Sequence, residues 1–350
     1  MSHRTTRLLI AASGTGGHLF PALAVAQRLT DCEIEWLGVP NRLEQTLIPE
    51  HYPLHAIDLE GFQTRLGFGT LRILRRFAAS ILQVKRLLVE RNIQAVFTTG
   101  GYIAAPAILA ARLQGLPVIL HESNALPGKV TRWLAPFCTT VALGFKDAAK
   151  YLATSRTVWV GTPVRSSFLE PQTLDLPIPK TAPLIVVVGG SQGAVAVNQL
   201  VRQAAADWFD AGAYVVHLTG NCDPNADSLH HPQYFPLSFY ENMAGLLQRA
   251  TLAVSRAGAG TLAELAATQT PALLIPYPFA AEDHQTFNAR EFEKLGAALL
   301  YPQEELTSQH LSDEVLRLLN APDLLGEMRD RTAALMVRDS TERLAALLSR

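Results

Sequence analysis

The chain has 350 residues, 48% hydrophobic and 17% charged, which is too long for one small core and too apolar for a disordered polymer; two domains are expected. No run reaches the roughly 18 uninterrupted apolar residues of a bilayer span, because Arg112 or the prolines Pro271, Pro276 and Pro278 cut the best candidates, so no membrane crossing is expected. The net charge of −1 hides a division at Arg165: residues 1–165 carry 18 Lys+Arg against 10 Asp+Glu, and residues 166–350 carry 12 against 21, so a basic half (+8) that suits an anionic partner precedes an acidic half (−9).

In chain order, Arg7-Leu8-Leu9-Ile10-Ala11-Ala12 reads as a first strand rather than a signal peptide, since it runs into Ser13-Gly14-Thr15-Gly16-Gly17-His18 and not into a cleavage site. This loop is not the dinucleotide fingerprint, because Leu19 stands at the last glycine position, although Glu33 and Glu35 follow where an NAD-binding acid would. From Arg65 to Arg91 there are seven basic residues (Arg65, Arg72, Arg75, Arg76, Lys85, Arg86, Arg91) and one acid, Glu90. The spacing predicts a helix with Leu71, Leu74, Ala78, Ile81, Val84 and Leu88 toward the core and Phe68, Ile73 and Phe77 outward.

A second apolar run meets glycines at Ala95-Val96-Phe97-Thr98-Thr99-Gly100-Gly101-Tyr102. A boundary is predicted near Gly161-Thr162-Pro163, and Pro171, Pro177, Pro179 and Pro183 mark a loop-rich entry into the second half. There the pattern repeats: Leu184–Val188 enters Gly189-Gly190-Ser191-Gln192-Gly193-Ala194, and Ala253-Val254-Ser255 enters Arg256-Ala257-Gly258-Ala259-Gly260-Thr261. Strand-like runs alternating with helical periods give an α/β class, and the repeat gives two Rossmann-like domains with the active site in the cleft between them. Glycine loops between buried strands and helices suit phosphates, because backbone N–H groups and the helix dipole attract anions. Cys32, Cys138 and Cys222 are odd in number and far apart, which fits neither a disulfide framework nor a metal knuckle and is consistent with a reducing cytoplasm.

These motifs resemble the MurG family of UDP-N-acetylglucosamine transferases, which convert lipid I to lipid II in peptidoglycan synthesis. The likeness rests on Gly14–Pro21, Thr99-Gly100-Gly101-Tyr102, His121-Glu122-Ser123-Asn124, Gly161-Thr162-Pro163-Val164-Arg165, Gly189–Ala194 and Ser255–Glu264, in the family's order. It implies a GT-B fold with an acceptor domain at 1–163, joined by a C-terminal helix at about 335–350, and a UDP-sugar domain at 164–334. It also implies no metal cofactor, with which the lack of any Asp-x-Asp pair agrees. The implied partners are UDP-N-acetylglucosamine, lipid I and the anionic inner face of the plasma membrane, with no nucleic acid.

The resemblance implies that Thr15, Gly16 and Gly17 lie near the donor and that Asn124 bonds the N-acetylglucosamine ring. Arg165 and Ser191 serve the nucleotide-sugar, Tyr240 lies in the segment that meets uracil, and Ala259, Gly260, Thr261, Leu262, Ala263 and Glu264 open a helix under the phosphates. Glu264 takes both ribose hydroxyls, and Gln285 a sugar hydroxyl. The sequence departs from the family at His284-Gln285, where paired glutamines are usual, and in the extra glycine of Ala257-Gly258-Ala259-Gly260. His18 is the expected general base, since it follows a glycine loop and an imidazole is the side chain suited to proton transfer near neutral pH; His121 and Glu122 are in reserve. An NAD-dependent oxidoreductase and another GT-B glycolipid transferase remain alternatives, and binding of UDP rather than NAD would separate the first.

Overall fold

Runs such as Leu8-Leu9-Ile10-Ala11 and Leu184-Ile185-Val186-Val187-Val188 have no polar face, and a strand covered on both sides can bury them completely. The computed structural model, which describes residues 6–40, 42–59, 70–190 and 193–349, places each at the centre of a parallel sheet. The chain divides into one unit ending at Arg165 but including Asp339 onward, and a second unit, Ser166–Arg338.

The first unit contains β1 (Thr6–Ala11), α1 (Gly16–Arg28), β2 (Cys32–Gly38), α2 (Glu44–Leu47), β3 (Leu54–Ala56), α3 (Thr70–Glu90), β4 (Ala95–Thr98), α4 (Ala104–Leu113), β5 (Val118–Glu122), α5 (Lys129–Leu134), β6 (Thr140–Leu143) and β7 (Thr157–Trp159). Its strands run in the order β3-β2-β1-β4-β5-β6-β7. Alternation along β1 sends Leu8 and Ile10 to one core and Leu9 and Ala11 to the other.

The second unit contains β8 (Leu184–Val188), α6 (Val195–Asp210), β9 (Tyr214–Leu218), β10 (Tyr234–Leu237), α7 (Met243–Arg249), β11 (Leu252–Ser255), α8 (Ala259–Thr268), β12 (Ala272–Leu274), α9 (His284–Glu293), β13 (Ala298–Leu300), α10 (Ser308–Leu319) and α11 (Pro322–Ala334). Its order is β10-β9-β8-β11-β12-β13. The last helix, α12 (Ser340–Leu348), belongs to the first unit, where Leu344, Ala345 and Leu348 join the core of α1 and β1.

In each sheet the chain moves outward from the first strand, then returns to begin on its other side. This reversal makes a crevice at the carboxyl ends of β1 and β4 in one unit and of β8 and β11 in the other. These four strands carry the internal repeat seen in the sequence.

The face of α3 differs from the expected one. Ser80, Val84 and Leu88 are buried and Ile73 and Phe77 half-buried, whereas Leu74 and Ala78 are exposed. The reason is the anchoring of Val84 and Leu88 in the core beside β4 and α4, which carries the buried line back through residues 80, 77 and 73 rather than 78 and 74. Leu74 and Leu82, 53% and 56% exposed, thus stand on the solvent side, where Arg75, Arg76 and Arg86 are exposed too. Arg65 and Phe68, and the side chains of Leu71 and Arg72, lie outside the described residues, as does Ser191.

Candidate active site

At the first crevice, Thr98 Oγ1 donates to the Ala11 carbonyl (2.7 Å) and ties β4 to β1. The next residue on each strand continues into a glycine loop. Thr15 caps α1 with extended backbone but no side-chain bond, so the first-turn amides of Gly16 and Gly17 have no intrahelical acceptor. His18, half-buried one turn in, donates from Nδ1 to the Thr99 carbonyl (2.7 Å), and Thr99 Oγ1 donates back to the His18 carbonyl (3.0 Å). A carbonyl only accepts, so the proton sits on Nδ1 and the neutral ring keeps its lone pair on Nε2. The described residues supply no hydrogen-bond partner to Nε2. Gly100 (φ +91°) and Gly101 (φ +75°) flank the ring in left-handed conformations that side chains rarely adopt.

Beneath this loop lies a carboxylate. Glu44, fully buried, accepts Ser13 Oγ (2.5 Å) and the Val39 amide (2.8 Å) at Oε1 and the Gly14 amide (3.2 Å) at Oε2. One amide of the expected phosphate cradle is therefore already spent on a protein anion.

β5 delivers the third group. Glu122 Oε1 accepts both the backbone N–H and Nδ2 of Asn124 (3.0 Å each), and Oε2 accepts the Gly128 amide (3.2 Å), which fixes the asparagine side chain. His121 is buried outright: Nε2 donates to the Gly161 carbonyl (2.9 Å), and Nδ1 accepts from Ser123 Oγ (3.3 Å). Burial pushes its pKa below the usual histidine value, against the opposing pull of the Gly161 carbonyl and Glu122. With both nitrogens engaged, His121 is a neutral strut between β5 and the Gly161 turn, and Glu122 orients Asn124. Arg165 lies over the Phe20 ring (4.5 Å to the centroid), and a Cβ on Gly16 would come within 2.7 Å of Phe20 Cε2. The glycine loop, Phe20 and Arg165 are thus one packed set.

At the second crevice, Gly189 and Gly190 leave β8 and Gly193 enters α6 at φ +79°, so close to the Thr219 carbonyl that a Cβ would collide with it. That carbonyl is held by Asn198 Nδ2 (2.9 Å), which also donates to Asp223 Oδ2 (2.7 Å). Arg202 pairs with the same carboxylate (2.7 Å), and buried His217 bridges Tyr234 Oη (2.8 Å) and Asn198 Oδ1 (3.0 Å). Burial, helped by Arg202, lowers the His217 pKa to about 3.

Across the crevice, α8 begins at Ala259 after an uncapped Gly258, and Glu264 is half-buried in its second turn. The preceding turn is clamped by α9: Gln285 Oε1 accepts the amides of Ala257 (3.2 Å) and Tyr277 (2.9 Å), and Asn288 Nδ2 donates to the Ala257 carbonyl (3.1 Å). Among the described residues Gln285 Nε2 has no acceptor. His284 Nδ1 donates to the Ala281 carbonyl (2.9 Å), within its own turn. Tyr240 is half-buried just before Asn242, whose side chain caps α7 through the Gly245 amide (2.9 Å).

Family models for the glycosyltransferase family 28 N-terminal domain and C-terminal domain match residues 8–143 and 184–344. A curated relative from Gloeothece citriformis, "UDP-N-acetylglucosamine--N-acetylmuramyl-(pentapeptide) pyrophosphoryl-undecaprenol N-acetylglucosamine transferase", is 66% identical over 99% of this chain and 97% of its own. The chain belongs to the MurG family. A relative of the same name from Microcystis aeruginosa is 63% identical over 100% of this chain and 98% of its own. The crystal structure of Acinetobacter baumannii MurG superposes with a TM-score of 0.79 at 29% identity, over 98% of this chain and 99% of that one. The kitacinnamycin glycotransferase (TM-score 0.74, 16% identity, 99% of both chains) shares the fold. Two parallel-sheet α/β units with these neighbours are the GT-B fold.

For a MurG-family chain the dinucleotide alternative fails on geometry. Glu33 and Glu35 are the second and fourth of the seven residues of β2, not at its carboxyl end, and they bond Arg7 (2.6 Å) and His55 (2.5 Å). A spacing of about 20 residues places an acid on the strand without placing it at the ligand. Conversely, Glu44 and the Asn198–His217–Asp223 network escaped the sequence reading, because partners 5 to 31 residues apart in chain leave no periodic signal. Arg256 stood in plain view inside a quoted motif, a cation at the end of an otherwise apolar strand.

Proposed function

We propose that this chain transfers N-acetylglucosamine from UDP to the muramyl sugar of lipid I, forming lipid II, by inverting displacement. Belonging to the MurG family supports the reaction, and the observation that carries the chemistry is His18, with Nδ1 bound to a carbonyl and Nε2 turned to no described partner. In the reaction His18 Nε2 takes the proton of the acceptor hydroxyl as its oxygen bonds the anomeric carbon, and the bond to the diphosphate breaks with its electron pair leaving on UDP. The Thr99 carbonyl stabilises the imidazolium that results.

Thr15, Gly16, Gly17, Asn124 and Arg165 serve the sugar end of the donor. The Gly189–Gly193 loop with Ser191, and the α8 residues Ala259, Gly260, Thr261, Leu262 and Ala263, receive the diphosphate; Glu264 takes the ribose hydroxyls, Tyr240 the uracil and Gln285 a sugar hydroxyl through Nε2. A carboxylate suits ribose because two neighbouring donors can share its oxygens.

No helix among the described residues is long and apolar enough to cross a membrane. The chain works as a peripheral protein at the anionic inner face of the plasma membrane, adsorbing through α3, where Leu74 and Leu82 accompany Arg75, Arg76 and Arg86. Transfer of labelled N-acetylglucosamine to lipid I, against water and other polyprenyl glycolipids, tests the function. Transfer to lipid I alone is expected, and a different preferred acceptor would overturn the assignment.

A further inference from the structure

The loop after β1 leads into His18, and both neighbours of β1 in the sheet hold that loop. From the β4 side, Thr98 Oγ1 bonds the Ala11 carbonyl, and Thr99 and His18 exchange two hydrogen bonds. From the β2 side, Trp36 Nε1 donates to the Ala12 carbonyl (2.9 Å), and Glu44 takes Ser13 Oγ and the amides of Val39 and Gly14 on its two oxygens. Glu44 thus ties the residue that follows β2 to the start of the loop that ends at His18. The backbone is shaped for it on both strands. Gly14 stands at φ +100°, which side chains rarely adopt, and a Cβ on Gly38 would come within 2.9 Å of Glu44 Cγ and 3.1 Å of its Oε1. Although Glu44 is fully buried, no cation among the described residues lies within ion-pair distance of it. Such a carboxylate is a costly way to fasten two loops, so its retention points to a need for this particular geometry. Two of its three donors are amides, which only donate, so both oxygens must accept and no neutral isostere reproduces the clasp.

We propose that Glu44 is a positioning residue for His18: by clasping Ser13 and Gly14 from the β2 side, it sets the first turn of α1 against the Thr99 carbonyl, so that Nε2 meets the acceptor hydroxyl. This rests on the reading of His18 as the base. Glu44 acts through the loop, across Thr15, Gly16 and Gly17, and a shift of that loop moves the base out of line, where a displacement of about 1 Å can cost up to about 10²-fold in rate.

A double-mutant cycle on the full chain tests the proposal, read by transfer of labelled N-acetylglucosamine to lipid I. Glu44→Gln should lower kcat about tenfold and leave UDP affinity within about twofold, because a misplaced base loses rate and not nucleotide. In the His18→Ala background the same substitution should cost less than about twofold, since the group it positions is gone. Equal losses in the two backgrounds would mean less folded protein or a role apart from His18. Either overturns the proposal, as does unchanged turnover or weakened UDP binding in Glu44→Gln. If Glu44→Gln does not fold, Gly38→Ala takes its place in the cycle, since its Cβ displaces the carboxylate while every donor remains. An additive loss there, or none, overturns the proposal as well. A parent that does not transfer to lipid I would instead refute the reaction, and parental turnover in His18→Ala would refute the base.

Discussion

The two crevices are built on the same strand–glycine loop–helix plan, yet opposite charges support them. Under the β1 loop sits Glu44, a buried carboxylate that occupies the Gly14 amide, and in the first turn of α1 stands an imidazole whose Nε2 has no hydrogen-bond partner among the described residues. Beside the β8 and β11 loops sits Arg256, a buried cation bound to neutral oxygens, and the turn between β11 and α8 is clamped by amide side chains that carry no charge. Glycine loops alone do not say what binds, since the sign of the charge under the backbone decides. On the reading proposed above, proton transfer belongs to the first crevice and the donor's leaving group to the second.

The strongest way to break this comparison is His18→Ala. Turnover should fall about 10²–10⁴-fold with the fold intact, because a positioned base contributes that much; steady-state transfer within a few-fold of the parent would remove proton transfer from the first crevice. The basic face sharpens the comparison in another direction. Arg75→Ser with Arg76→Ser should weaken binding to anionic vesicles about 30-fold, from roughly 1 kcal/mol per charge, and leave UDP binding alone. Co-sedimentation at low and high salt measures it, and adsorption that ignores both salt and substitution would contradict the α3 surface.

Acid should act on the second unit through His217. Its folded pKa of about 3 lies below the unfolded value of about 6.5, so the unfolded chain binds more protons between these limits and stability falls as pH drops through that window. About 2 kcal/mol should be lost from this group between pH 7 and pH 5, read by urea unfolding, and His217→Asn should flatten the dependence. A smaller effect is expected for Glu44→Gln. The new NH₂ must face either the Gly14 or the Val39 amide, donor against donor, so the first loop shifts; transfer should drop about tenfold while the UDP dissociation constant stays within about twofold. Weaker UDP binding would mean that the loop serves the donor's diphosphate after all.

Much of this was legible in the chain. Uninterrupted apolar strands gave the parallel sheets, and the repeated strand-to-glycine passage marked β1, β4, β8 and β11, the strands that flank both crevices. The place of His18 in the first turn of α1 was visible because a loop and a helix start fix it within a few residues. The bracing was not, since Glu44 reaches its loop from after β2 and Asn198 reaches Thr219 across 21 positions, distances that only the folded sheet brings together. The face of α3 was misread because Leu74 and Ala78 fit a helical stripe as well as Ile73 and Phe77 do, and packing at Val84 and Leu88 chose between them.

The most direct test sets one residue of each crevice against the other in a single titration of UDP by calorimetry. Glu264→Ala removes a charged acceptor shared by two ribose hydroxyls and should weaken UDP by about 1.5–3 kcal/mol, more than tenfold, whereas His18→Ala should bind UDP within about twofold of the parent. Equal losses in the two variants, or a loss confined to His18→Ala, would contradict the division of labour.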